Sequence, residues 1–212
     1  MSNHKEQLEA LADIRSMMDR STRFLSLSGL SGVGAGVIAL IGAFVAFVYL
    51  EGDFWTGAIR YEFSATNVKW GMTANTFMIV DAILVLILAL AVGFFFSLRK
   101  ARRKGYKIWD RAGQRLAMSL LIPMTTGGLV CLILLYQYGF VGLIAPLTLI
   151  FYGLTLVNAS KYTLNELMPL GLCEIVLGLI SLVYIGYGLL FWSIGFGLMH
   201  IIYGFVMYKK YD

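Results

Sequence analysis

Charge is what this chain has least of. Lys, Arg, Asp and Glu together make up 14% of its 212 residues, against about 25% in a soluble domain. Apolar residues make up 59%. So little charge excludes a solvated globular domain and predicts a protein built for lipid. Cysteine is nearly absent: Cys131 and Cys173 stand alone in apolar runs, with no CxxC and no neighbouring His. They read as small packing residues rather than a disulfide or a metal pair. Histidine is as scarce, and His4 and His200 cannot build a haem pair or a multi-His iron site. No P-loop, dinucleotide, Gly-x-Ser-x-Gly, His-Glu-x-x-His or paired-Asp protease signature is present. No cofactor and no metal is therefore expected. The balance leans against an enzyme, with a lipid- or isoprenoid-modifying one as the reading that would need polar groups converging on a lipid-accessible cleft.

What the chain does have is long uncharged runs. Crossing roughly 30 Å of hydrocarbon takes about 20 apolar residues as helix. Residues 24–50 carry no charge, and residues 74–98 carry only Asp81. Residues 116–160 are uncharged over about twice the length of one span and break at Gln137-Tyr138-Gly139. Residues 167–208 are as long, carry only Glu174 and His200, and break at Gly186-Tyr187-Gly188. The pattern predicts an all-α polytopic membrane protein of six helices near 24–50, 74–98, 116–137, 139–158, 167–186 and 189–208.

Basic residues near the spans are retained in the cytoplasm, which orients the bundle. With the N-terminus inside, Lys5, Arg15, Arg20 and Arg23 lie in the cytoplasm. So do Arg99, Lys100, Arg102, Arg103, Lys104, Lys107, Arg111 and Arg115 in a basic loop at 99–115, then Lys161, Lys209 and Lys210. Only Arg60 and Lys69 of the 17 Lys and Arg lie outside. Both termini are thus expected in the cytoplasm, with residues 209–212 as a short tail. The first run is too long for a signal peptide's h-region and follows a charged stretch. Asn158-Ala-Ser160 fits a glycosylation sequon but falls on the cytoplasmic side.

Residues 1–23 are polar but periodic. Leu8, Leu11, Ile14 and Met18 recur at three- and four-residue steps, one face of an amphipathic cytoplasmic helix. It either lies on the membrane or docks a cytoplasmic partner. The first span lines one face with Ser28, Gly32, Gly36, Ala39 and Ala43, and adds Gly29, Gly34 and Gly42. Small-xxx-small patterns let helices approach closely in lipid, either within the monomer or in a dimer. The outer loop at 51–73 carries Phe54, Trp55, Tyr61, Phe63 and Trp70, residue types that favour the headgroup level. Arg99, Lys100, Arg102, Arg103, Lys104 and Lys107 are expected to touch anionic lipid headgroups. The last two hairpins look related: Tyr152-Gly153 followed by Lys161-Tyr162 resembles Tyr203-Gly204 followed by Lys210-Tyr211, as in a parallel repeat.

Ionisable side chains inside a membrane are costly and are functional candidates by default. Asp81 lies toward the outer side, as an interfacial or Trp70-associated carboxylate. Glu174 and His200 are expected at similar depth below the cytoplasmic face, on small-residue faces that turn toward neighbouring helices. Thr125, Thr126 and Tyr152 fall in the same layer. Two readings stand: Glu174 and His200 satisfy each other as a structural pair, or they form a ligand or proton site with Thr125, Thr126 and Tyr152.

Residues 13–32 (DIRSMMDRSTRFLSLSGLSG) and 156–179 (LVNASKYTLNELMPLGLCEIVLGL) resemble an uncharacterised family of small six-span bacterial inner-membrane proteins. The resemblance implies a bacterial inner (cytoplasmic) membrane location and carries over no site residue. The function expected is non-enzymatic sensing or scaffolding, coupling the membrane to a cytoplasmic partner through residues 4–23 and 99–115. The alternative is a small-molecule, proton or ion carrier or channel built on Glu174 and His200. Membrane lipids are the expected partners, with a cytoplasmic protein or a second copy beside them. A loop as short as 99–115 builds no nucleic-acid fold, so nucleic acid is not among them.

Overall fold

A computed structural model describes Gln7, Phe24 and residues 27–51, 68–105 and 109–211. The amphipathic helix expected at 1–23, most of the outer loop and Lys107 lie outside the described residues. The described chain is helical apart from one short hairpin. In order it runs α1 (Gly29–Tyr49), β1 (Val68–Lys69), β2 (Met72–Thr73), α2 (Ala74–Lys104), α3 (Arg111–Tyr138), α4 (Ile144–Ala159), α5 (Leu167–Val183) and α6 (Gly188–Tyr211). One-turn 3₁₀ segments extend α4 to Val141–Tyr162.

Five of these helices, α1, α2, α3, extended α4 and α6, are long and apolar enough to cross a membrane. The sixth, α5, is apolar but has 17 residues. At about 1.5 Å per residue it is shorter than the roughly 30 Å hydrocarbon layer. The breaks within the two long apolar runs fall at Gly139 (φ 67°) and Gly186 (φ 108°), left-handed positions that stop a helix without strain only in glycine.

Most of the basic stretch 99–115 is helical. Helix α2 continues through Lys104 and stops at Gly105 (φ 68°). Helix α3 starts at Arg111, where Asp110 accepts the Gly113 N–H at 2.7 Å as an N-cap. Charge ends a span as a hydrophobic segment, but it does not end a helix, because Arg and Lys are good helix formers.

Glycines set the packing. Gly29, Gly32 and Gly36 bring α1 against α6, while Gly34 and Gly42 receive Val92 and Val85 of α2. Gly153 of α4 and Gly171 of α5 meet backbone to backbone. The small-residue faces are thus used within the monomer, in keeping with close approach in lipid. Helix α2 packs on α1 at the outside of the bundle and turns Ile83, Leu84, Ile87 and Phe94 outward.

Polar groups at the basic end are tied to backbone. Lys100, expected at lipid headgroups, is buried and donates to Leu27 O at 2.8 Å. Lys104 donates to Tyr211 O at 2.6 Å. Arg99, Arg102 and Arg103 are exposed. Phe24 donates to Tyr162 O at 2.7 Å and accepts from Thr163 Oγ1 at 2.6 Å, which clasps the entry to α1 against the α4–α5 connection. Asn158, the sequon asparagine, also has a structural role. Pro123 lacks the N–H that would bond Ser119 O, and the Asn158 amide takes that carbonyl at 3.1 Å.

Glu166 joins the start of α5 to the end of α6, accepting from Lys210 Nζ at 2.5 Å and from Tyr211 OH at 2.8 Å. Burial pushes its carboxyl up, but the two donors outweigh that and hold it below the ordinary glutamate value. A lowered acid constant stabilises the fold above the unfolded-state value of about 4.3, and the gain is lost as pH falls through the folded value. Wild type should therefore lose melting temperature on acidification in that window. Glu166→Gln should start lower and lose less, and equal acid sensitivity of the two proteins would show that the contact is energetically silent.

At the opposite end, Val68 pairs with Thr73 and Lys69 with Met72. The two-residue turn between them has Trp70 at φ 52° and Gly71 at φ 76°, the mirror-image turn that tight hairpins favour. Tyr49 stacks on Phe77 at 3.7 Å between ring centres, and Trp70 sits edge-on to both. Lys69 Nζ donates to Val48 O, Tyr49 O and Glu51, neutralising the carbonyl end of α1.

Candidate functional site

Glu174 lies on α5, seven residues from its start, or about 10 Å along the axis. Its side chain is fully buried, and neither carboxyl oxygen has a hydrogen-bond partner. Oε1 faces His200 Nδ1 of α6 at 3.4 Å, and Oε2 rests against Gly195, where a Cβ would come within 2.3 Å of it. Any larger residue at 195 would displace the carboxyl, so glycine there is a condition of the site.

His200 is held at both ring nitrogens. Nδ1 lies 3.0 Å from Gly195 O, and Nε2 lies 2.8 Å from Tyr152 OH of α4. A carbonyl only accepts, so Nδ1 carries the hydrogen. In the neutral ring Nε2 then accepts from the tyrosine, and in the cation Nε2 donates and the tyrosine oxygen accepts. The backbone prepares this arrangement. Residues Ser193–Met199 form a π-helical stretch, and the His200 N–H donates to Gly197 O while the ring nitrogen meets Gly195 O. Single π turns inside α-helices concentrate at functional positions because they re-aim side chains and loosen the regular ladder.

Phe196 covers the cluster. Its ring is parallel to that of His200 within 12° and 4.8 Å from the Tyr152 ring centre, and Trp192 packs on its other side. Leu149, fully buried, fills the remaining side near Gly195. The three polar groups therefore come from three helices, α4, α5 and α6, and meet inside an apolar wall.

Of the residues that the sequence groups in one layer, Tyr152, Glu174 and His200 meet. Thr125 and Thr126 do not. Both are exposed on α3 and return their hydroxyls to their own helix, Thr125 to Leu121 O and Thr126 to Ile122 O. They lie on a face turned away from the cluster, since Gly127 is the α3 residue that packs on Phe151 of α4. Asp81 is half-buried and lies toward Gly42 of α1, whereas Trp70 packs on Tyr49 and Phe77. Among the described residues no three His, Cys, Asp or Glu side chains gather as a metal-holding group.

Sequence reasoning missed the Gly195 carbonyl and the aromatic cover. The run Ser193-Ile-Gly-Phe-Gly carries no charge to signal them, although its two glycines three and five residues before His200 mark a place where neighbours approach closely.

Protein-family models, curated proteins and solved structures were compared with the chain, and nothing matches. The chemistry of the site alone carries the functional reading. A carboxyl, an imidazole and a phenol in contact form a set that can accept a proton at one atom and release it at another.

Proposed function

We propose that this is a six-span, non-enzymatic protein of the bacterial inner membrane, with both termini in the cytoplasm, whose buried Glu174–His200–Tyr152 cluster is a proton site. The observation that carries the reading is the Glu174 carboxyl, fully buried with both oxygens lacking a hydrogen-bond partner. A buried polar group left unbonded costs about 1–3 kcal/mol, more when charged. A structural pair would remove that cost with good hydrogen bonds, and 3.4 Å to a nitrogen already bonded to a carbonyl is not one. The closed wall favours a proton over a small molecule, since a proton needs no volume.

Sensing then takes a physical form. A proton added to or removed from the cluster changes the charge where α4, α5 and α6 meet, and the same helices end at the basic face. There Glu166 holds Lys210, and the entry to α1 is clasped to the α4–α5 connection. A cytoplasmic partner would read the change on that face. Infrared difference spectra between mildly acidic and mildly alkaline buffer should contain the C=O band of one buried carboxylic acid, lost in Glu174→Gln. A wild-type spectrum without a Glu174-dependent band would remove the proposal.

A further inference from the structure

Helix α2 carries its basic residues in two different states. Lys100 and Lys104 are spent on the backbone, at Leu27 O and Tyr211 O. Arg99, Arg102 and Arg103 are exposed. Among the described residues the ion pairs are Glu51–Lys69, Glu174–His200 and Glu166–Lys210, so none neutralises these three arginines. At the same end of the bundle Asp110 caps α3 and Glu166 holds Lys210. The three guanidinium groups start within about one and a half helical turns, and such a density of uncompensated positive charge attracts an anion.

The face below them is as specific. Leu84, Leu88, Ala91, Phe95, Arg99 and Arg102 recur at three- and four-residue steps along α2, which places them on one side of the helix. All six are exposed, and Leu84, Leu88 and Phe95 each expose more than half of their surface. Leu88 lies eleven residues from Arg99, or about 16 Å along the axis, close to half of a roughly 30 Å hydrocarbon layer. An apolar stripe one leaflet deep thus ends in a cluster of arginines. The neighbouring exposed stripe through Ile87, Leu90 and Phe94 ends instead at Ser97 and Ala101, both buried.

We propose that this side of α2 binds one anionic phospholipid, with its phosphate on Arg99, Arg102 and Arg103 and an acyl chain along Phe95, Ala91, Leu88 and Leu84. Charge complementarity selects an anionic head group, and the continuous apolar stripe selects a lipid over free phosphate. Guanidinium groups match phosphate oxygens with paired hydrogen bonds. The site therefore differs from the diffuse attraction of any basic segment to an anionic leaflet. It narrows the six head-group residues suggested by the sequence to three, and it stands independently of the Glu174 proton site.

The test mixes the full chain, purified in mild detergent, with phosphatidylglycerol or phosphatidylcholine of the same acyl chains. A third series uses glycerophosphoglycerol, the head group without chains. Native mass spectrometry reads the bound fraction at each concentration. Expected is a first phosphatidylglycerol held on the order of tenfold more tightly than phosphatidylcholine, with no retention of the chainless head group. That preference should vanish in Arg99→Gln/Arg102→Gln/Arg103→Gln. It should survive in Arg111→Gln/Arg115→Gln/Lys161→Gln, which removes the same charge from exposed residues of α3 and the α4–α5 connection. Equal affinity of wild type for the two lipids would overturn the site. So would an equal loss in the two variants, because binding would then follow net charge rather than this face. Retention of glycerophosphoglycerol as tight as that of the lipid would overturn the lipid assignment. If the triple α2 variant fails to fold, Arg99→Gln alone replaces it, with a several-fold loss of the preference expected and an unchanged preference overturning the site.

Discussion

A single methyl group on Gly204 is expected to destabilise the protein by about 3 kcal/mol, at the upper end of what overpacking costs. The reason is the nature of the atoms it meets. A Cβ at 204 would lie 2.5 Å from Val33 N, 2.8 Å from Gly29 O and 2.9 Å from the carbonyl carbon of Gly32. All are backbone of α1, so no side chain can turn away, and α1 and α6 must separate. The opposite helix is equally intolerant, since a Cβ at Gly29 would reach Tyr208 N at 2.1 Å. Separation would also shift the helix that carries His200. Gly93→Ala is the matched control. Nothing lies within 4 Å of a Cβ there, and alanine is the better helix former by up to about 1 kcal/mol. Unfolding of purified protein by a denaturing detergent compares the three, and a Gly204→Ala protein as stable as wild type would show that the α1–α6 crossing is looser than described.

The second large effect is expected at the Glu174–His200 contact. His200→Phe keeps an aromatic ring under Phe196 but leaves the buried carboxyl facing only apolar groups. Removing one partner of a buried ionisable pair costs about 3–5 kcal/mol. Glu174→Leu removes the group that would be stranded, so the double variant should regain most of the loss of His200→Phe. The coupling in this cycle should far exceed the roughly 0.6 kcal/mol of an average hydrogen bond between membrane helices. A coupling near that average would mean that the two side chains are neighbours without a shared proton or charge.

Several positions mark the boundary between what pattern and what packing decide. The apolar runs, their breaks at Gly139 and Gly186, and the candidacy of Glu174 and His200 are legible in the chain. Each follows from a local rule: apolar length, glycine's left-handed freedom, or the cost of burying an ionisable group. Helix ends were less legible. The α2 and α3 boundaries moved into the basic stretch because hydropathy marks where lipid ends, not where backbone hydrogen bonding ends. Thr125 and Thr126 show a further limit, since counting residues gives depth but not the direction a span presents.

By itself, then, the sequence determined that this is a helical chain with apolar helices able to cross a membrane, because apolar length and scarce charge are additive properties of residues. That only five of them are long enough, and that α5 stops at 17 residues, came from the structure. Tertiary structure alone decided that Tyr152, Glu174 and His200 meet while Thr125 and Thr126 face away. It also decided that Lys100 and Asn158 are spent on backbone carbonyls while Arg99, Arg102 and Arg103 stay exposed. Those outcomes depend on how each helix is rotated against its neighbours. That rotation is set by which glycines touch which backbone, a property of pairs of distant residues rather than of any one stretch.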